Sequence, residues 1–151
     1  MKNLLLVPAA FLAIQFSAIG LATAAPLTGE GQTDGTKIIV REIKRDAANM
    51  VTLRFQLVND GEKALKTYGV LGDLFSLDAV TLIDGANKKK YLVVKDTDKK
   101  CLCSELKDDA VKGSKFNLWA KFPAPPAEVK TITVVVPGFE PVDAPIAAAG
   151  P

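Results

Sequence analysis

Two cysteines one residue apart, Cys101-Leu102-Cys103, are the residues of this chain whose type and spacing best support chemistry. They follow Asp96-Thr97-Asp98-Lys99-Lys100 in a polar stretch that reads as a loop. Two sulfurs this close can form a disulfide, exchange with another thiol, or bind a soft ion such as Cu(I) linearly. In a straight strand, residues i and i+2 lie about 6.6 Å apart with parallel Cα–Cβ vectors, near the outer limit for a disulfide. A bond between them therefore requires a turn at Leu102, and the chain holds no other cysteine to compete. Closing so short a loop rigidifies a turn more than it holds a domain together. Lys99 and Lys100 favour thiolate at the neighbouring sulfurs. A local structural disulfide is the first expectation, with a redox-active pair, a Cu(I)–thiolate site and an intermolecular bond as alternatives. The absence of histidine and a single methionine beyond the N-terminal segment, Met50, weaken the metal alternative. No other metal and no cofactor is expected.

Other reactive arrangements are scarce. With no histidine among 151 residues, there is no Ser-His-Asp triad, no Cys-His pair and no His-ligated metal. Asp96 and Asp98 have Asp-x-Asp spacing, but the lysines beside them and the missing further ligands make a solvated loop the better reading than calcium. Asp108-Asp109 and Asp60-Gly61-Glu62 are exposed turn carboxylates with nothing to shift their pKa toward acid–base work. Lys88-Lys89-Lys90 is a short basic run at a hairpin loop, read as turn solvation. Trp119, Tyr91 and Tyr68 are expected to pack half-buried, and Trp119 with Tyr91 forms the candidate binding surface if the indole faces water. Catalysis is not expected.

Composition sets the class. The chain is 48% hydrophobic and 24% charged, with 19 Lys+Arg against 17 Asp+Glu, which suits one globular domain. A formal charge of +2 is too small for electrostatic nucleic-acid binding. Residues 1–24 read as a signal peptide: Lys2, then an apolar run from Leu4 to Leu21, then Ala22-Thr23-Ala24 with small residues where signal peptidase needs them. The run approaches the roughly 20 residues of a membrane span, but Pro8, Gln15 and the alanine-rich end favour cleavage after Ala24. Cleavage removes one basic residue and no acidic one, leaving a nearly neutral mature chain with no stable membrane span. Export, to the periplasm or outside the cell, also makes oxidised cysteines the default.

Beyond a flexible leader at 25–36, the patterning has period two. In Met50 to Asn59, Val51, Leu53, Phe55 and Leu57 share one face while Thr52, Arg54 and Gln56 share the other. Further strands are expected at Lys37 to Arg45, Ala79 to Asp84, Tyr91 to Lys95, Lys115 to Phe122 and Val129 to Val136. Asn59-Asp60-Gly61 predicts a reversal with positive φ at the glycine, and Gly85-Ala86-Asn87-Lys88 a hairpin loop. Pro123-Ala124-Pro125-Pro126 joins strands without pairing in a sheet. Ser104 to Lys112 is a weak helical candidate, and 141–151 reads as a disordered Ala/Pro tail. Six or seven short strands predict an all-β, antiparallel sandwich of immunoglobulin-like size over 37–140.

The stretches Tyr91-Leu-Val-Val-Lys-Asp-Thr-Asp-Lys-Lys-Cys-Leu-Cys-Ser104, Phe116-Asn-Leu-Trp-Ala-Lys-Phe-Pro-Ala-Pro-Pro126 and Val134-Val-Val-Pro-Gly-Phe-Glu-Pro-Val142 resemble small exported bacterial immunoglobulin-like domains. These occur alone or beside a peptidoglycan-binding domain of the outer-membrane-protein type. No such second domain is present in this sequence, so a wall-anchoring role does not carry over. The resemblance implies the sandwich fold and export, and no catalytic residues. The expected function is non-catalytic binding to a protein or cell-envelope component. A thiol-based redox or Cu(I)-binding protein built on Cys101 and Cys103 is the alternative.

Overall fold

Eight strands follow one another along the chain: β1 (Leu27–Glu30), β2 (Thr36–Arg45), β3 (Met50–Asn59), β4 (Thr81–Asp84), β5 (Lys89–Leu92), β6 (Ser114–Pro123), β7 (Thr131–Val135) and β8 (Val142–Pro145). The computed structural model describes residues 26–149 apart from 47, 69–70, 73–75 and 107, so the expected signal peptide lies outside the described residues. No helix is found among the described residues, and none is long and apolar enough to cross a membrane. The strands form two four-stranded antiparallel sheets, ordered β1-β2-β3-β6 and β5-β4-β7-β8.

The alternation read from the sequence is the alternation of burial. Val51, Leu53, Phe55 and Leu57 of β3 and Leu118, Ala120 and Phe122 of β6 are buried, as are Ile132 and Val134 of β7 and Val136 just beyond it. They meet Ile38, Val40 and Ile43 of β2 and Leu82 of β4 in a single core. In β2 the register shifts between Val40 and Glu42, a bulge that places Arg41 outside the ladder.

Several expectations need correction. The leader and the tail each contain a strand: β1 pairs with β2, and β8 pairs with β7 through buried Val142 and Ala144. Four-residue strands containing Gly29 or Pro145 have little pattern of their own, and pairing with a longer neighbour supplies the order. Ser104 to Lys112 carries no helix among its described residues. Instead Ala110 exchanges both backbone hydrogen bonds with Leu65. Gly61 does not take a positive φ. A Cβ there would lie 2.0 Å from the carbonyl oxygen of Asp34, so the glycine permits close approach of two loops. Among the described residues between β3 and β4, Leu71, Leu77 and Val80 are buried ahead of the second sheet.

Both seams between the sheets are stitched by backbone hydrogen bonds. On one side Glu140 N–H donates to Glu30, Gln32 N–H to Gly138, Ala147 N–H to Ile43 and Arg45 N–H to Ala147. On the other side Val94 N–H donates to Lys121, and Lys121 N–H to Leu102. The outer edges of β1 at Glu30 and of β6 at Lys121 are thereby covered, which removes part of the unpaired backbone that would template association. The Lys88–Lys90 run falls on the β4–β5 turn and on β5, an outer strand of the second sheet, where charge serves the same end.

Candidate functional site

The Cys-Leu-Cys segment forms a strap along the outer edge of β6. Asp96 builds its turn. Its carboxylate accepts from the N–H groups of Asp98 and Lys100, both at 2.9 Å, while Lys99 occupies the left-handed region at φ 62°. That local use gives the Asp96 carboxylate a part in the turn. Leu102 N–H then donates to Val94, and Cys103 bridges to Ala120 of β6. Cys101 and Cys103 are joined in a disulfide with their Cα atoms 5.3 Å apart, closer than a straight strand allows, with the chain bent at Leu102. Both half-buried cysteines pack against the core, and the Leu77 N–H points at the Cys103 sulfur at 3.3 Å.

The disulfide also lines a concavity of about 600 Å³ that Lys95, Lys99 and Lys100 share. Lys99 and Lys100 line the same concavity as the cysteines, and the bonded pair offers no thiolate for them to stabilise. Lys95 forms an ion pair with Asp78 at 2.8 Å.

The strap's last residue reaches the second feature. Ser104 N–H donates to the Trp119 carbonyl at 2.8 Å, and the Trp119 N–H donates to Ser104 Oγ at 2.9 Å. Both backbone groups of Trp119 on the strand's outer edge are therefore fixed by the residue that follows the disulfide. Trp119 is 39% exposed on the outer face of the first sheet, and Arg54 lies directly opposite it on β3. Neighbouring cross-strand pairs on this face are Thr52 with Lys121 and Gln56 with Asn117. Arg41, aimed by the β2 bulge, donates to Gln56 Oε1, and Gln56 Nε2 donates to Asn117 Oδ1, both at 2.9 Å. This hydrogen-bonded row crosses three strands and keeps the long side chains in place.

The face carries more cations than anions. Lys37, Arg41, Lys44, Arg54, Lys115 and Lys121 project from β2, β3 and β6 on the side away from the core, with Glu42 among them, Glu30 of β1 opposite Lys37, and Asp60 paired with Lys37 at 3.2 Å. Glu42 approaches Arg54 at 4.0 Å, and Asp46 pairs with Lys121 at 3.0 Å. The Lys121 hydrogen bond holds the Asp46 carboxyl below the usual carboxylate range. Arg41, Arg54, Trp119 and Lys121 together border a shallow concavity of about 580 Å³.

Tyr91 is elsewhere. It lies on β5 of the second sheet, half-buried against the core, and its hydroxyl is buried without a hydrogen-bond partner among the described residues. Burial pushes its phenol pKa up. Tyr91 and Trp119 therefore do not line one concavity. Tyr68, expected to be half-buried, is 57% exposed. The residues missed by sequence reasoning are Arg41, Arg54, Lys121 and Ser104. The face of Arg54 was legible, but the order β2-β3-β6, which sets Arg41, Arg54 and Lys121 around Trp119, and the strap that brings Ser104 to it were not. Comparison with family models, with curated proteins and with solved structures finds no match for this chain.

Proposed function

We propose that this is an exported, non-catalytic binding domain of the cell envelope, made with a signal peptide over 1–24 and folded as an immunoglobulin-like sandwich. The outer face of β2, β3 and β6 is its binding surface, and the partner is a protein or envelope component. The observation that carries the proposal is Trp119, a large amphipathic side chain held toward solvent on a rigid strand with Arg54 opposite it. The strap supports this role, because its disulfide stiffens the turn leading into Ser104. The test is co-sedimentation of the mature protein, residues 25–151 by intact mass, with envelopes isolated from the cells that encode it. Retention that falls in Trp119→Ala but not in Leu92→Ala on the second sheet is expected. No retention, or equal retention of both variants, would refute it.

A second reading, thiol–disulfide exchange, is favoured by the disulfide's position on a concavity open to a partner, lined by Lys95, Lys99 and Lys100 together with Asp78, Asp96 and Glu105. In that reaction a dithiol attacks Cys101–Cys103, a mixed disulfide forms and resolves, and the protein leaves with two thiols while the partner carries the new disulfide. A bond that resists a dithiol in the folded protein would end this reading.

A further inference from the structure

We propose that the groove around Trp119 binds an anionic polysaccharide, recognising a carboxylate or phosphate group together with the face of a sugar ring. The proposal rests on the binding reading above and specifies its ligand. Three observations converge on it.

The first is charge. The nearly balanced chain collects cations on one sheet face, and Lys44 and Lys115 have no ion-pair partner among the described residues. Arg41 and Arg54 retain donors beyond Gln56 and Glu42, in the planar fork that suits a carboxylate or phosphate. The second is side-chain chemistry. An indole face packs against the C–H face of a sugar, while hydroxyl and amide groups such as those of Thr52 and Asn117 match sugar hydroxyls. All of these border the same groove. The third is shape. Strands lie about 4.8 Å apart, so β2 to β6 spans about 10 Å, and the cations extend along the strands from Lys115 to Lys121, about 20 Å. That is the footprint of a short stretch of polymer.

A lipid surface fits less well. The large exposed side chains Tyr68, Leu92 and Val111 lie outside this face, leaving Trp119 without a second apolar anchor, and the site is concave.

The experiment is affinity electrophoresis and calorimetry of the mature, oxidised protein with polygalacturonate, a phosphorylated mannan, neutral dextran and vesicles containing anionic lipid. Binding to one or both anionic polymers is expected, and which of them binds identifies carboxylate or phosphate as the recognised group. The expected losses are about tenfold or more for Trp119→Ala and for Arg54→Ala, with further weakening as salt is raised. Lys89→Ala/Lys90→Ala, the same kind of charge loss on the other sheet, should bind as the parent does. Three results would overturn the proposal: equal binding of dextran, Trp119-dependent binding of vesicles but not polymers, or losses shared by the Lys89/Lys90 variant. If no polymer binds while the envelope retention described above still depends on Trp119, the ligand class is wrong and the binding surface stands. If neither occurs, both fall.

Discussion

Arg45 provides a quantitative test of how the fold is held. Pro123, expected to stay out of the sheet, ends β6 opposite Met50, where a missing donor is tolerated at the strand's last residue. The connection onward to β7 holds Pro125 and Pro126, which donate no backbone hydrogen bonds, so its carbonyls need donors from outside. Arg45 supplies them: Nη1 donates to Pro125 O at 2.6 Å, and Nη2 to Pro126 O at 2.8 Å and Val129 O at 3.1 Å. Hydrogen bonds to a charged group contribute about 1.5–3 kcal/mol each, and halving this for a half-buried site that water re-enters gives about 2–4 kcal/mol for Arg45→Ala. In a domain of this size that is a fall in Tm of about 10 °C. Arg45→Lys should recover less than half, because one ammonium cannot present the guanidinium fork to three carbonyls. Urea unfolding by far-UV circular dichroism, with intrinsic fluorescence as a second probe, measures both variants. A loss below about 0.5 kcal/mol for Arg45→Ala, or full recovery by lysine, would refute the assignment.

Three further outcomes are expected. Gly61→Ala should destabilise by about 1–3 kcal/mol, since its Cβ meets the Asp34 carbonyl and the backbone must shift, and a neutral result in thermal unfolding would contradict the close approach. Asp84 accepts from the Asn87 side chain and backbone N–H, which hold its carboxyl below the ordinary value. Its contribution is therefore complete above about pH 4 and lost as pH falls through the lower folded-state pKa. Urea midpoints at pH 7 and pH 3 should differ, and differ less in Asp84→Asn; an unchanged difference would count against it. The Cys101→Ser/Cys103→Ser variant should remain folded with a loss of about 1–2 kcal/mol, because the closed loop is so short. Failure to fold would show that the strap supports far more than one edge.

What was legible depended on how much of each element's pattern is local. β3 alternates from Met50 to Leu57 and β6 along its length, and the Asn59-Asp60-Gly61 turn signal closes β3, so Met50–Asn59 was bounded correctly and Ser114–Pro123 to within a residue at each end. β5 begins two residues earlier than Tyr91 because an outer strand tolerates Lys89 and Lys90. β8 is different: Val142 and Ala144 alternate with Asp143 and Pro145, but the Ala/Pro composition of the segment concealed it. The disulfide was legible from cysteine count and the need for a bend. The basic face was not, because a formal charge of +2 is a sum over the chain and says nothing of which side the charges occupy.

The seam where β1 and the flanks of β8 meet has a consequence for the order of folding. The first two strands of the domain are stitched to the residues on either side of β8, β1 through Glu30 with Glu140 and β2 through Ile43 and Arg45 with Ala147. Hydrogen bonds of such long sequence separation form late, since the closure entropy of the whole chain precedes them. A chain emerging N-terminus first from a ribosome or a pore therefore cannot complete this fold until residues 138–147 are free. The domain stays unfinished, and able to be threaded, for as long as those residues are still being delivered.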